Sequence, residues 1–272
     1  MDLRGLSDNT KHSYLLQIKH FLAHYRVPPD QLSTDDIRQY LHHQIVRRKL
    51  SNSSIIVCYS ALRFFFRTTL GRDWEDQILP RMKPNRHLPN VLSKEEVSAL
   101  INATTNLKHR ALLMTAYSAG LRVSEIANLK ITDIDSKNMQ ILIRQGKGDV
   151  DRYSLLAQKT LLTLRAYYKQ YKPDLWLFPG QTPDKPLHPR SIGTVFKDAK
   201  NKIGIQRRVS IHSLRHSFAT HLLESNVNIR YIQKLMGHRS IISTCVYLHV
   251  TRLSFLKITS PLDTLPGFDD DD

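Results

Sequence analysis

The first 70 residues place apolar side chains at helical intervals. The spacing within residues 7–25 predicts a helix with one buried stripe. A second helix is expected from about Ser33, because Ser33 and Asp36 form a capping-box-like start, and a third over residues 52–70, ended by Gly71. The aromatic side chains of the third helix keep its period, which favours a core role over base stacking. These patterns predict a small helical bundle.

The pattern changes at residues 80–89, where three prolines fall within ten residues and few positions are apolar. Such a segment should be extended and exposed. We therefore predict a domain over residues 1–79, a linker over 80–90 and a second domain over 91–272.

In the second domain, some segments space their apolar residues as helices do and others alternate them as strands do. Ser93 and Glu96 begin a helix, and an apolar helix over residues 108–118 is ended by Gly120. Residues 131–156 alternate apolar and polar positions and read as strands joined by turns. Further helices are predicted over residues 158–171, 189–202, 212–223, 228–236 and 241–249. The expected fold class is mainly α with a small antiparallel β-sheet, an α+β arrangement.

Charge narrows the class of partner. The 272 residues include 40 Lys and Arg against 24 Asp and Glu, a net charge of +16, and both predicted domains are basic. This balance favours a polyanion such as nucleic acid, although a merely soluble basic protein would also show it. Cys58 and Cys245 have apolar neighbours and are expected to be core residues. With no membrane-length apolar run and no signal-like segment, the expected compartment is the reducing cytoplasm.

Candidate chemistry is concentrated in residues 211–250. His212 and Arg215 are three residues apart, so they share one helix face, and His238 and Tyr247 follow. Guanidinium and imidazole groups can hold the oxygens of a phosphodiester, which a tyrosine hydroxyl can attack. A tyrosine has a pKa of about 10, so Tyr247 would need a nearby imidazole and two guanidiniums to help it ionise.

Two more cationic residues, Arg122 and Lys147, lie at predicted turns earlier in the chain. Gly120 permits a tight turn that delivers Arg122 to a helix start, where the dipole disfavours a cation, so another group should hold it. Glu125 lies one turn on, and by itself this pattern favours a surface ion pair. Lys147 lies between two glycines at a hairpin tip, where a lysine is usually just solvated.

These residues resemble the signature of the tyrosine recombinases, the family of phage integrases, Xer recombinases and integron integrases. The matching pieces are A-G-L-R-x-x-E at Arg122, G-K-G at Lys147, H-S-L-R-H from His212, and L-M-G-H at 235–238 with Tyr247 nine residues after His238. The chain is Xer-like and integron-integrase-like, but it lacks the extra helical insertion of integron integrases near residues 180–189.

The resemblance implies a helical core-DNA-binding (SAM-like) domain and a catalytic domain that together clamp DNA in a C shape. It also implies a site-specific DNA strand transferase. Tyr247 would be the nucleophile, Arg122 and Arg215 phosphate clamps, Lys147 the general acid, His212 a proton shuttle and His238 a hydrogen-bond donor to the phosphate. It implies no cofactor and no obligatory metal, a double-stranded DNA recombination site as partner, and a homotetramer on DNA. The segment after Thr251 would dock on a neighbouring protomer, and Asp269–Asp272 receive no role.

Three other readings are open at this point. His212, His216 and His221 could form a zinc site, although no cysteine cluster or metalloprotease glutamate accompanies them. A type IB topoisomerase uses similar chemistry but relaxes supercoils as a monomer. A DNA-binding module that has lost catalysis is a third class, which a test of cleavage would separate from the others.

Overall fold

The computed structural model describes residues 1–74, 88–144 and 151–249, and the chain divides into two compact units, residues 1–87 and 88–272. The N-terminal unit is helical, as its apolar spacing predicted. Its helices are α1 (Asp8–Tyr25), α2 (Thr34–Val46) and α3 (Asn52–Phe64), with α3 continuing into a π-helical turn (Phe65–Thr69) and short 3₁₀ turns at Asp2–Arg4 and Pro29–Gln31.

Local sequence fixes where these helices begin. The Ser33 hydroxyl accepts from the Asp36 N–H at 3.2 Å, and the Asp36 carboxylate accepts from the Ser33 N–H at 2.7 Å, which is the expected capping box. The buried stripes meet in a core where Phe21 packs edge-to-face on Tyr40, with ring centroids 5.0 Å apart. Phe66 is also buried there, so this aromatic side chain has the core role that its spacing indicated.

The second unit is built mainly of helices around a small sheet. Its first three helices are α4 (Lys94–Asn102), α5 (Leu107–Ser118) and α6 (Val123–Ala127). After the sheet come α7 (Gln158–Tyr171), α8 (Pro189–Lys202), α9 (Ile211–Glu224), α10 (Ile229–Met236) and α11 (Ile242–Cys245), followed by a 3₁₀ turn (Val246–His249).

The sheet has the order β1-β2-β3 and is antiparallel throughout. Its strands are β1 (Ile134–Asp135), β2 (Gln140–Ile143) and β3 (Arg152–Leu155). The expected fold class, mainly α with a small antiparallel sheet, is therefore confirmed. The strand expectation was wrong at Ile131, which lies in a 3₁₀ turn (Ile131–Asp133) because the Asp133 carboxylate accepts from the Lys130 N–H and closes the turn.

Two apolar clusters hold the second unit together. The larger cluster joins α4 to α8 with β2 and the start of α9, and the smaller lies under the C-terminal half of α9. The smaller cluster contains Phe218, Met236 and Tyr247, so a candidate catalytic side chain is part of a core. In the described part of the chain, no helix combines the length and the hydropathy needed to cross a bilayer.

The turn between α5 and α6 depends on one glycine. Gly120 has a φ of +59°, and an added Cβ would come within 2.3 Å of the Phe218 ring on α9. The backbone of this turn therefore packs directly against α9, and the absence of a side chain at Gly120 sets that separation.

We expect Gly120→Ala to destabilise the protein by more than Gly204→Ala. Both glycines have positive φ, which costs an alanine about 1–2 kcal/mol, but a Cβ at Gly204 would meet nothing within 4 Å. The overpacking against Phe218 should add about 1–3 kcal/mol. Urea unfolding of both variants measures the difference, and equal losses would contradict it.

Candidate active site

Arg122 lies where the sequence predicted, at the first residue before α6. Its backbone N–H donates to Glu125 Oε2 at 2.7 Å and its Nη1 donates to Glu125 Oε1 at 2.6 Å. The carboxylate one turn into α6 is favoured by the helix dipole and offsets the unfavourable position of the cation. Glu125 is therefore the group that holds Arg122 in place.

Glu125 binds two further arginines. Arg152 on β3 donates from both terminal nitrogens to the two carboxylate oxygens, each at 2.8 Å, and Arg215 Nη1 lies 3.7 Å from Oε2. Burial alone would raise the pKa of Glu125, but the hydrogen bonds and charge of Arg152, the Arg122 N–H and the charge of Arg215 lower that pKa to about 2. Glu125 is thus a buried carboxylate at neutral pH.

The same three guanidiniums also bind the C-terminal end of α10. The last carbonyls of a helix have no partner within the helix, and cations are favoured there. Three successive carbonyls, those of Leu235, Met236 and Gly237, accept from Arg152 (3.0 Å), Arg215 and Arg122 (3.1 Å) respectively. The arginines are thus fixed between one carboxylate and one helix end.

Gly237 has two reasons to be glycine. It ends α10 in the left-handed conformation, with a φ of +60°, and an added Cβ would lie 2.8 Å from the Arg152 side chain. Its carbonyl can therefore face Arg122 while Arg152 passes close beside it. The next residue, His238, is directed into the site as the sequence indicated.

The arginine cluster carries more positive than negative charge. Three guanidiniums meet one carboxylate, and Arg215 is only 5% exposed. Burial, with the charges of Arg122 and Arg152, lowers the pKa of Arg215 to about 10, which leaves it charged at pH 7. A guanidinium has five N–H donors, and those not used by the protein frame suit the oxygens of a phosphate group. The cluster therefore has the charge and the donors that an anion requires.

His238 is held by a residue that the sequence did not single out. Its Nδ1 lies 2.9 Å from the hydroxyl of buried Thr244, and its ring is nearly parallel to that of Tyr247 at 6.4 Å. Burial, together with the charges of Arg215 and Arg122, lowers the pKa of His238 to about 4. A neutral imidazole at this position can still donate a hydrogen bond from Nε2.

Tyr247 is buried, with 2% of its surface exposed, in the 3₁₀ turn after α11. Its hydroxyl lies 3.1 Å from Nδ1 of His216 on α9. Burial raises the pKa of Tyr247, and the opposing charges of Arg215 and Arg122 only partly offset that rise. In the protein without DNA, desolvation therefore outweighs the help of the two guanidiniums, although both lower the pKa of Tyr247 as expected.

His212 lies in the first turn of α9, three residues before Arg215, as predicted. It borders a cavity of about 530 Å³ that is also lined by Lys200, Arg208 and His216. Burial of the ring and the charge of Arg215 lower the pKa of His212. Although His212 was the expected proton shuttle for Tyr247, the imidazole that contacts the hydroxyl is that of His216.

Of the six candidate residues, the structure brings Arg122, Arg215, His238 and Tyr247 together. Lys147 lies outside the described residues, as do most of the expected linker, residues 80–87, and the C-terminal segment, residues 250–272.

Three contributors were missed by the sequence interpretation: Arg152, His216 and Thr244. Arg152 is a lone cation in a short strand, and a pattern of this kind usually indicates a solvent-exposed side chain. His216 follows His212 by one helical turn, a signal that was interpreted only as a potential metal pair. Its partner is instead Tyr247, and His221 pairs with Tyr117 at 2.9 Å. Across the described ranges, no group of three or more His, Cys, Asp or Glu side chains is placed to hold a metal.

Comparison with known proteins identifies the family of this chain. Residues 90–253 match the phage integrase family, and residues 1–76 match the phage integrase N-terminal SAM-like domain. A Sinorhizobium fredii protein described as an integrase/recombinase, y4qK, is 42% identical over 267 residues, covering 98% of this chain and 87% of that protein. The tyrosine recombinase XerA of Pyrococcus horikoshii is 32% identical over 254 residues, covering 92% of this chain and 86% of its own.

Solved structures show the same fold. A crystal structure of XerA recombinase matches with a TM-score of 0.56 and 30% identity, covering 93% of this chain and 91% of that one. XerH bound to its difH substrate matches with a TM-score of 0.71 and 21% identity, covering 87% of this chain and 74% of that one. This chain therefore belongs to the phage integrase family, the family of the tyrosine recombinases.

We expect Glu125→Gln to lower the free energy of unfolding by about 3–5 kcal/mol, because it leaves three buried or half-buried guanidiniums without their carboxylate. The depressed pKa of Glu125 stabilises the wild type fully above about pH 4.5, and this contribution of about 3 kcal/mol is lost as pH falls toward 2. The variant should therefore lose less stability over that window. Urea unfolding from pH 6 to pH 3 measures both effects.

Glu224→Gln is the matched control, since it removes an exposed carboxylate at the end of α9 and should change stability by less than about 0.5 kcal/mol. Identical pH dependence in Glu125→Gln and the wild type would contradict the role of Glu125.

Proposed function

We propose that this chain is a site-specific DNA recombinase in which Tyr247 attacks the scissile phosphate and forms a covalent 3′-phosphotyrosine. The observation that carries the proposal is the meeting of Arg122, Arg215, His238 and Tyr247 at one end of α10. An excess of guanidinium charge beside a tyrosine hydroxyl provides both an oxyanion site and a nucleophile.

In the proposed reaction, the Oη–P bond forms as the bond from phosphorus to the 5′ oxygen breaks. Arg122 and Arg215 hold the non-bridging oxygens, and His238 donates to the same phosphate. Lys147 protonates the departing 5′ oxygen. The phosphotyrosine keeps the energy of the broken phosphodiester, so the 5′-hydroxyl of a partner strand can reseal it through a Holliday junction without ATP.

Accessibility of the nucleophile is a further requirement. With 2% of its surface exposed, Tyr247 must become accessible before it can reach a phosphate. The 3₁₀ turn that carries it is short and follows the four-residue helix α11, so we propose that this turn is the part that shifts. We propose that DNA binding supplies the driving force, because the phosphate completes the charge of the arginine cluster.

Relatives support DNA as the partner. XerH is described with its difH substrate, and lambda integrase as a dimer bound to a core site. We propose that residues 1–79 form a core-DNA-binding domain, residues 80–90 a linker and residues 91–272 the catalytic domain. A cavity in the N-terminal unit lined by Arg4, Arg63 and Arg67 is suited to phosphate contact. Exchange of two duplexes needs four cuts, so four copies would assemble on DNA.

The first test is covalent capture. Incubation with a nicked suicide substrate, made from a site selected out of random DNA, should yield a protein–DNA adduct on a denaturing gel with the wild type. Tyr247→Phe should bind the same DNA and yield no adduct, because the phenyl ring has no hydroxyl to attack.

Tyr231→Phe is the control, since Tyr231 is 63% exposed on α10 and should leave adduct formation unchanged. DNA binding without any adduct in the wild type would instead favour a DNA-binding module. Relaxation of supercoils by monomers without strand exchange would favour a type IB topoisomerase.

Lys147→Ala should slow cleavage about 100-fold or more, because a general acid contributes roughly 10²–10⁴-fold. A substrate with sulfur in place of the bridging 5′ oxygen has a leaving group that needs no proton, so it should restore the rate of this variant. Lys137→Ala, which removes an exposed lysine at the turn before β2, should behave as the wild type with both substrates. If Lys147→Ala remains slow with the sulfur substrate, Lys147 has a role other than general acid.

A further inference from the structure

We propose that His216 accepts the hydroxyl proton of Tyr247 during strand cleavage and returns it during rejoining. This inference rests on the proposed function and assigns a residue outside the six that the family signature supplied. Its first support is direct contact, since His216 Nδ1 lies 3.1 Å from the Tyr247 hydroxyl oxygen. That distance is within the reach required of a general base, and the proposal requires the pair to stay in contact when the turn carrying Tyr247 shifts toward DNA.

The surroundings of Tyr247 favour a route through this ring. Phe218 and Met236 pack in the same cluster as the tyrosine, so apolar side chains separate its hydroxyl from bulk water. His216 is half-buried and borders the cavity that contains His212. Its ring therefore joins a buried hydroxyl to an open cavity, which is the position that a proton carrier needs.

The charges around His216 set when the transfer can occur. Burial, with the charges of His212 and Arg215, lowers the pKa of His216 to about 4, while burial raises the pKa of Tyr247. In the protein without DNA, the proton therefore stays on the tyrosine. A phosphodiester held by Arg215 offsets the positive charge near His216 and raises its affinity for a proton. The nucleophile is thus activated only when a phosphate is in place.

The step balances without a co-reactant. As the Oη–P bond forms, the hydroxyl proton moves to Nδ1 of His216, and the bond from phosphorus to the 5′ oxygen breaks with protonation of that oxygen by Lys147. In rejoining, a 5′-hydroxyl attacks phosphorus, its proton passes to Lys147, and the departing Tyr247 oxygen recovers its proton from His216.

The test uses the full-length protein and His216→Asn. The amide of asparagine occupies the place of Nδ1, so it keeps a hydrogen bond to Tyr247 but cannot carry a proton at neutral pH. We expect the rate of adduct formation at pH 7 to fall about 100-fold, within the range for a lost general base. DNA affinity should stay within threefold of the wild type.

The chain offers a matched control on the same helix. His221 also pairs through Nδ1 with a tyrosine hydroxyl, that of Tyr117, at 2.9 Å, but Tyr117 is not the proposed nucleophile. His221→Asn imposes the same change on α9 and should leave the cleavage rate within threefold of the wild type. If the rates of both variants fall alike, the loss reflects helix stability, and the inference is overturned.

A second measurement separates proton acceptance from other roles. The sulfur-bridged substrate should not restore the rate of His216→Asn, because the missing group acts on the attacking oxygen and not on the leaving one. Restoration of the rate by this substrate would overturn the inference. A wild-type cleavage rate in His216→Asn would also overturn it, because His216 would then have only a positioning role. His216→Gln serves as a second variant if the asparagine protein does not fold, and the same outcomes apply.

Failure of this inference is distinguishable from failure of the proposed function. A wild-type protein that forms no adduct would remove the recombinase proposal itself. A wild-type adduct accompanied by an unchanged His216→Asn rate would remove only the role of His216.

Discussion

One buried carboxylate organises the catalytic unit. Glu125 binds Arg122 and Arg152 directly and lies within 3.7 Å of Arg215. Its two carboxylate oxygens therefore connect the start of α6, strand β3 and helix α9. Removing a carboxylate from such a cluster leaves unpaired buried charge, which is among the costliest changes a protein can undergo. The positions of these three arginines therefore depend on Glu125.

The charge balance of this cluster also connects stability with function. Glu125 neutralises one of three guanidiniums, and the remaining positive charge keeps the nearby histidines neutral. Burial also lowers the pKa values of His238 and His216, which favours their neutral forms. It raises the pKa of Tyr247, which opposes ionisation of the nucleophile. The protein without DNA thus has its nucleophile protonated and enclosed. In the proposed reaction, a phosphodiester supplies the anion that the excess positive charge binds.

Much of this arrangement could be predicted from sequence. Capping residues such as Ser33 and Ser93 fixed helix starts, and period-two alternation located β2. The turn at Gly120 and the spacing of His212 and Arg215 indicated the arginine positions, because those signals are local. Arg152 and Thr244 could not be found in this way, since their partners are remote in the chain or were not suspected. The raised pKa of Tyr247 depends on tertiary burial, which no spacing reveals.

The contact between His216 and Tyr247 could be predicted only in part. Its place one turn after His212 was visible in the sequence, but its ring direction depends on how the turn carrying Tyr247 packs against α9. Two histidines on one helix can share a ligand or face different partners, and the interval alone does not distinguish these outcomes. The three-dimensional packing does, because His216 and His221 contact two different tyrosines.

The end of α10 has a consequence for how the protein is made. The contacts of its three carbonyls span 115 residues to Arg122, 83 to Arg152 and 21 to Arg215, so they are among the long-range contacts that form slowly in folding. A chain emerging from the ribosome has all three arginines before it has the helix end that aligns them. Synthesis must pass α10 before an oxyanion site exists, and it must continue to Tyr247 before that site can act. The order of translation therefore keeps a DNA-cutting centre incomplete until nearly the whole described chain has been synthesised.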